Sequence, residues 1–167
     1  YLNNKFIWEV KNYYPKEYQY GLWALKLLDA QFDLSFPEDE AGFIAVHIIS
    51  GELGNDISDF SKSVDFIKSI TKIVRYYFHI NIDYQSLNYN RFAVHLKFFW
   101  KAMMYKKDQS SFGDLSQEIL NVIKNSDIEA YKCALKIKEY ILEKYNYELN
   151  NEEIMYLAIH INKIVSG

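Results

Sequence analysis

The chain has 167 residues, 50% of them hydrophobic, 25% charged and 17% aromatic, with a net charge of −3. That length suits one large domain or two small ones, and the apolar fraction suits a packed core rather than a disordered chain. No apolar run reaches the roughly 18 residues of a membrane span, and the balance of charge advertises no nucleic-acid-binding surface.

Gly and Pro are too few for collagen-like or linker-like classes. Cys133 is the one cysteine, so an internal disulfide or a cysteine-built zinc site is excluded, which fits a reducing cytoplasm. Tyr1 rather than Met opens the chain and no signal peptide follows, so the sequence reads as an excerpt of a longer protein.

Helical periodicity runs through the sequence. A first helix is expected over Asn3 to Tyr14 and a second from Pro15 or Lys16 to Phe32. Ser35 and Glu38 have capping-box spacing ahead of a third, Pro37 to Ile49. Gly51, Gly54, Asn55 and Asp56 mark a break and the best linker. A fourth helix is expected over Ser61 to Phe78, a loop over His79 to Leu87, and a long helix over Asn88 to Tyr105. After a polar segment, Lys106 to Gly113, come helices at Asp114 to Lys124 and Asp127 to Tyr145, the latter with Ser126 and Glu129 at capping-box spacing. Asn150 or Asn151 caps the last helix, which reaches Val165. No convincing strand is visible.

The helix beginning at Pro37 and the last helix look alike. Glu40-Ala41-Gly42-Phe43-Ile44-Ala45-Val46-His47-Ile48 parallels Glu153-Ile154-Met155-Tyr156-Leu157-Ala158-Ile159-His160-Ile161 at an offset of 160 − 47 = 113. Upstream, Ala24-Leu25-Lys26 echoes Ala134-Leu135-Lys136 at an offset of 134 − 24 = 110, which implies a turn three residues longer in the second copy. So long a period means tandem domains, not a solenoid. The first copy, residues 1–55, is too short to be complete and lacks its N-terminal half; the second spans 56–167.

Four histidines stand out. At about 100° per residue, His160 falls roughly 90° off the centre of the stripe Ile154, Leu157, Ala158, Ile161, Ile164 and Val165. His47 has the same phase against Ala41, Ile44, Ala45 and Ile48. His95 lies at the edge of the stripe Phe92, Leu96, Phe99 and Met103. All three are placed at the boundary of core and surface, where an imidazole is held yet reachable. The other reading is three boundary histidines that only hydrogen-bond across helices. His79 follows Phe78 at a helix end, where a positive charge suits the dipole.

The remaining constellations read as architecture. Glu38, Asp39 and Glu40, like Glu152 and Glu153, open helices where acids favour the dipole. Phe92, Phe98, Phe99 and Trp100 read as core with a share in a dimer face; Tyr76, Tyr77 and Phe78 read as core or interface, and Cys133 as a buried apolar filler. There is no phosphate-cradling glycine loop, His-Glu-x-x-His pattern or nucleophile elbow.

The stretch Pro37 to His47, with Asn90-Arg91-Phe92-Ala93-Val94-His95-Leu96-Lys97-Phe98-Phe99 and the motif Glu152 to Ile161, resembles the tandem phosphotransferase-system regulation domains of bacterial transcriptional antiterminators of the BglG/LicT type. Three motifs in the right order cover essentially the whole chain. The resemblance implies an all-α fold of tandem helical bundles, the first incomplete at its N-terminus. It implies phosphorylatable histidines: His47 as the second of the first domain, His95 and His160 as the pair of the second. It implies the phosphocarrier HPr and a sugar permease component, enzyme IIB, as sources of control, a homodimer, and antiterminator RNA bound only through a missing N-terminal domain.

The residues agree with that chemistry. A neutral imidazole is a good phosphoryl acceptor, and a phosphate adds about −1.5 to −2 charge. Arg91, four residues before His95, and Lys163, three after His160, are candidate phosphate contacts. The domain accepts phosphate, so it is not read as an enzyme, and no cofactor or metal is expected. The rivals are the same module in a DNA-binding activator, a purely structural helical dimerisation module, and a helical metal-dependent hydrolase using His47, His95 and His160, which would need a His-Asp doublet the chain lacks.

Overall fold

A computed structural model describes residues 6–53, 57–105 and 127–167. The helix expected over Asp114 to Lys124, the polar segment Lys106 to Gly113, the cap Ser126 and the breakers Gly54 to Asp56 lie outside the described residues. Among the described residues every regular element is a helix: α1 (Ile7–Tyr13), α2 (Pro15–Phe32), α3 (Asp39–Leu53), α4 (Ile57–Phe78), α5 (Leu87–Tyr105), α6 (Ile128–Tyr145) and α7 (Asn151–Ser166). The fold is all-α. None of these helices is long and apolar enough to cross a membrane. Two compact units divide the chain, Tyr1–Phe66 and Ile67–Gly167, with the division inside α4.

In the first unit α2 packs on α3, and α1 packs on both. Pro15 opens α2, where its missing N–H costs nothing. The core is Val10, Tyr13, Ala41, Ala45, Ile49 and Phe60. Tyr14 lays its ring on Phe60 and shares a 2.6 Å hydrogen bond with the Ser63 hydroxyl. The expected capping box of Ser35 and Glu38 does not form. The Glu38 carboxylate instead accepts from the Tyr18 hydroxyl and from Lys11 Nζ at 3.0 Å, tying α1 and α2 to the start of α3. α3 also runs through Gly51 to Leu53, because one glycine costs a helix only about 1 kcal/mol.

In the second unit α7 is the centre: α6 and α5 both pack on it. Ser86 opens α5 by accepting from the Tyr89 backbone N–H at 3.1 Å. Asp127 caps α6 by accepting from Ala130 N–H at 2.9 Å. Asn150 and Glu153 form a full capping box at the start of α7. Tyr89, Phe92, Leu96 and Trp100 from α5 fill the core, as does Cys133 from α6, whose thiol burial pushes up to about 12. Phe98, expected in that core, is 65% exposed.

The internal repeat survives, with one correction. α2 and α6 have the same length and both end on a left-handed residue, Asp33 (φ 52°) and Asn146 (φ 51°), whose N–H returns to the carbonyl four residues back. Their ends are thus offset by 146 − 33 = 113, the same as His47 and His160. The extra three residues expected in the second turn are not there. In the true register Gly21 corresponds to Ala134, both buried on helices that pack on the histidine-bearing helix.

Candidate functional site

The site is built where α5 and α7 meet. His95 comes from the middle of α5 and His160 from the middle of α7, and their rings lie 4.2 Å apart, tilted by 40°. Tyr156, one turn before His160, also stacks on His95, at 5.7 Å. Asn88, two turns before His95, donates from Nδ2 to the Lys163 backbone carbonyl at 2.9 Å and fixes the two helices in register.

The two rings differ in exposure. His95 is half-buried, and burial lowers its pKa. His160 is 8% exposed, and its Nδ1 is sealed without a hydrogen-bond partner. Burial first, then His95, Lys163 and Arg91, lower the His160 pKa to about 4. Both rings are therefore neutral near pH 7, with a lone pair free on one nitrogen. Leaving Nδ1 unsatisfied costs about 1–3 kcal/mol, a penalty that packing alone gives no reason to retain.

Arg91 and Lys163 are exposed and both act on His160. Their charge opposes a proton on the ring. The same charge favours a dianion there, because the sign of the guest is reversed.

His47 is placed differently. It holds the equivalent position on α3, yet it is exposed. The boundary position expected for it is thus not found. The second unit covers its counterpart with α5; the first has α1 and α2 against α3 and no counterpart of α5 among the described residues. His79 is exposed, in a left-handed conformation (φ 54°) after α4. Among the described residues no group of three or more His, Cys, Asp and Glu side chains is arranged to hold a metal ion. A cleft of about 500 Å³ in the second unit is lined by Lys72, Tyr76, Lys136 and Tyr140, and does not include the histidines.

Sequence reasoning picked out both cations and, through the resemblance, both histidines as the two of one domain, but it did not put their rings in contact, and it missed Asn88. Only the spacing of seven between Asn88 and His95, two turns along one helix face, signals it.

The family model described as the PRD domain matches residues 1–51 and 68–164. The chain belongs to the PRD-domain family. It is 36% identical over 164 residues to the transcription antiterminator LicT of Bacillus subtilis (strain 168), covering 98% of this chain and 58% of that protein. It is 35% identical over 165 residues to the beta-glucoside operon antiterminator of Dickeya chrysanthemi, covering 99% of this chain and 57% of the relative. Protein GlcT of Staphylococcus epidermidis is 29% identical over 161 residues, covering 96% of this chain and 56% of its own length. This PRD chain therefore spans less than three fifths of these relatives. The named antiterminators are regulators of transcription rather than enzymes.

Proposed function

We propose that this chain is the regulatory region of a sugar-responsive transcriptional antiterminator, switched by phosphorylation of His95 and His160 in the second unit and of His47 in the first. The observation that carries the reading is the close pair His95–His160 with the charges of Arg91 and Lys163 acting on it: neutral nucleophilic nitrogens near cations that disfavour a proton and favour a phosphate. HPr and the enzyme IIB component of a sugar permease are the phosphoryl sources in this reading. Residues 1–55 are the C-terminal part of a first regulation domain and 56–167 a second, which the two-part match to the family supports. RNA is bound through a separate N-terminal domain, and the protein works in the cytoplasm.

A homodimer completes the reading. Its support is the large apolar surface left uncovered: Trp23 and Phe98 are each 65% exposed, and Tyr20 and Leu27 continue the Trp23 row on α2. A phosphate near −2 at the α5–α7 seam has to be paired or solvated, since burying it unpaired costs several kcal/mol. Phosphorylation therefore shifts the dimer equilibrium.

The test is incubation with phosphoenolpyruvate, enzyme I and HPr, followed by mapping of acid-labile phosphate. Label on His95 and His160 is the expected result; label confined to other residues refutes the assignment.

A further inference from the structure

We propose that His160 takes its phosphoryl group on Nε2 and not on Nδ1. This rests on the reading of His160 as a phosphoryl acceptor and specifies the atom. The geometry is the asymmetry of one ring. His160 is 8% exposed, and its Nδ1 is fully buried with no hydrogen-bond partner. Leu157 and Ile161, the neighbours of His160 along α7, are buried at 1% and 0%.

Phosphoryl transfer needs the acceptor lone pair in line with the breaking bond, with the donor on the far side of phosphorus. A sealed nitrogen meets neither demand unless α7 leaves the core. Nε2, at the opposite side of the ring, is not sealed in this way, and exposed Arg91 and Lys163 lie close enough to His160 for their charges to act on it. The His95 ring lies 4.2 Å from the His160 ring, tilted by 40°, and crowds it on one side.

The step balances as follows. The reactive tautomer of His160 keeps its proton on Nδ1 and its lone pair on Nε2. With a phosphohistidine donor, the donor P–N bond breaks as the Nε2–P bond forms. The donor ring leaves as neutral imidazole with its own ring proton, and His160 retains Nδ1–H.

The folded chain is labelled in parallel with phosphoramidate, a small donor that needs no docking surface, and with phosphorylated HPr. Trypsin releases His160 in the peptide Tyr145–Lys163, which holds no other histidine, and His79 in Tyr76–Arg91. The phosphohistidine isomer in each peptide is read by phosphorus NMR or isomer-specific antibodies at early times. The expected result is that phosphoramidate gives both isomers at exposed His79 and only the Nε2 isomer at His160, with complete loss of the Nδ1 form there. The Nδ1 isomer at His160 overturns the proposal. Label on Nε2 from phosphoramidate with none from HPr upholds the choice of atom and refutes the HPr reading. No label on His160 from either donor overturns both.

Discussion

His95 and His160 lie ring against ring, 4.2 Å between centroids, on two helices locked in register by a hydrogen bond from Asn88 to the Lys163 carbonyl. Burial is the chief obstacle to charging either ring, and for His160 the neighbouring His95 comes next, so both remain neutral near neutral pH. Neutral rings of this kind offer lone pairs rather than stored protons.

That neutrality has a pH signature. The unfolded His160 titrates at the ordinary 6.5 and the folded one at about 4. Between those values the unfolded chain binds a proton that the folded chain refuses, so stability falls as pH falls across that window. The slope from His160 is at most about 1.4 kcal/mol per pH unit, one proton's worth. Urea unfolding at several pH values between 4 and 7 measures it, and His160→Gln is expected to flatten the curve. An unchanged slope in the variant contradicts the assigned titration.

Gly21 is expected to resist replacement. A Cβ there would overlap the Ala41 carbonyl oxygen and lie 3.0 Å from its carbon, both backbone atoms that cannot swing aside. Ala gains about 0.5–1 kcal/mol over Gly inside a helix. Overpacking costs about 1–3 kcal/mol, so Gly21→Ala is predicted to destabilise the first unit, read as a lower urea midpoint. A higher midpoint shows that α2 and α3 do not cross so closely.

Asn150 holds the start of α7 through the Glu153 N–H, while Glu153 accepts from the Asn150 N–H and from the Tyr147 hydroxyl. Asn150→Ala should cost about 1 kcal/mol and speed amide exchange in the first turn of α7, leaving α6 unaffected. Equal acceleration in both helices argues against a local cap.

Much of this was legible in the sequence because helices write their period locally. The seven described helices fall within a few residues of the expected spans, apart from α4, which begins earlier, and α3, which runs past Gly51. The histidines were legible as two of one domain but not as touching rings, since the meeting of α5 and α7 is a tertiary event. Their exposures were not legible either. His47 and His160 share motif and phase, yet one is exposed and the other buried, because a neighbouring helix decides burial and only His160 has α5 over it. Glu38 misled for a related reason: its spacing from Ser35 fits a cap, but Tyr18 and Lys11, far along the chain, claim its carboxylate.

If phosphate at the α5–α7 seam governs assembly, a fixed negative charge there should do so in part. His95→Asp and His160→Asp are expected to shift the dimer constant several-fold in sedimentation equilibrium. His79→Asp, at an exposed left-handed position that Asp tolerates, should shift it little. Equal shifts from all three would sink the link between the seam and the dimer.

The most direct measurement is transfer of phosphate from HPr to the chain with both seam histidines replaced. Enzyme I, HPr and phosphoenolpyruvate are incubated with the unaltered chain and with His95→Ala/His160→Ala, and acid-labile phosphate is counted after the double variant is shown to keep its helical content. Loss of at least nine tenths of the label is the predicted result. Undiminished labelling of the double variant contradicts the account.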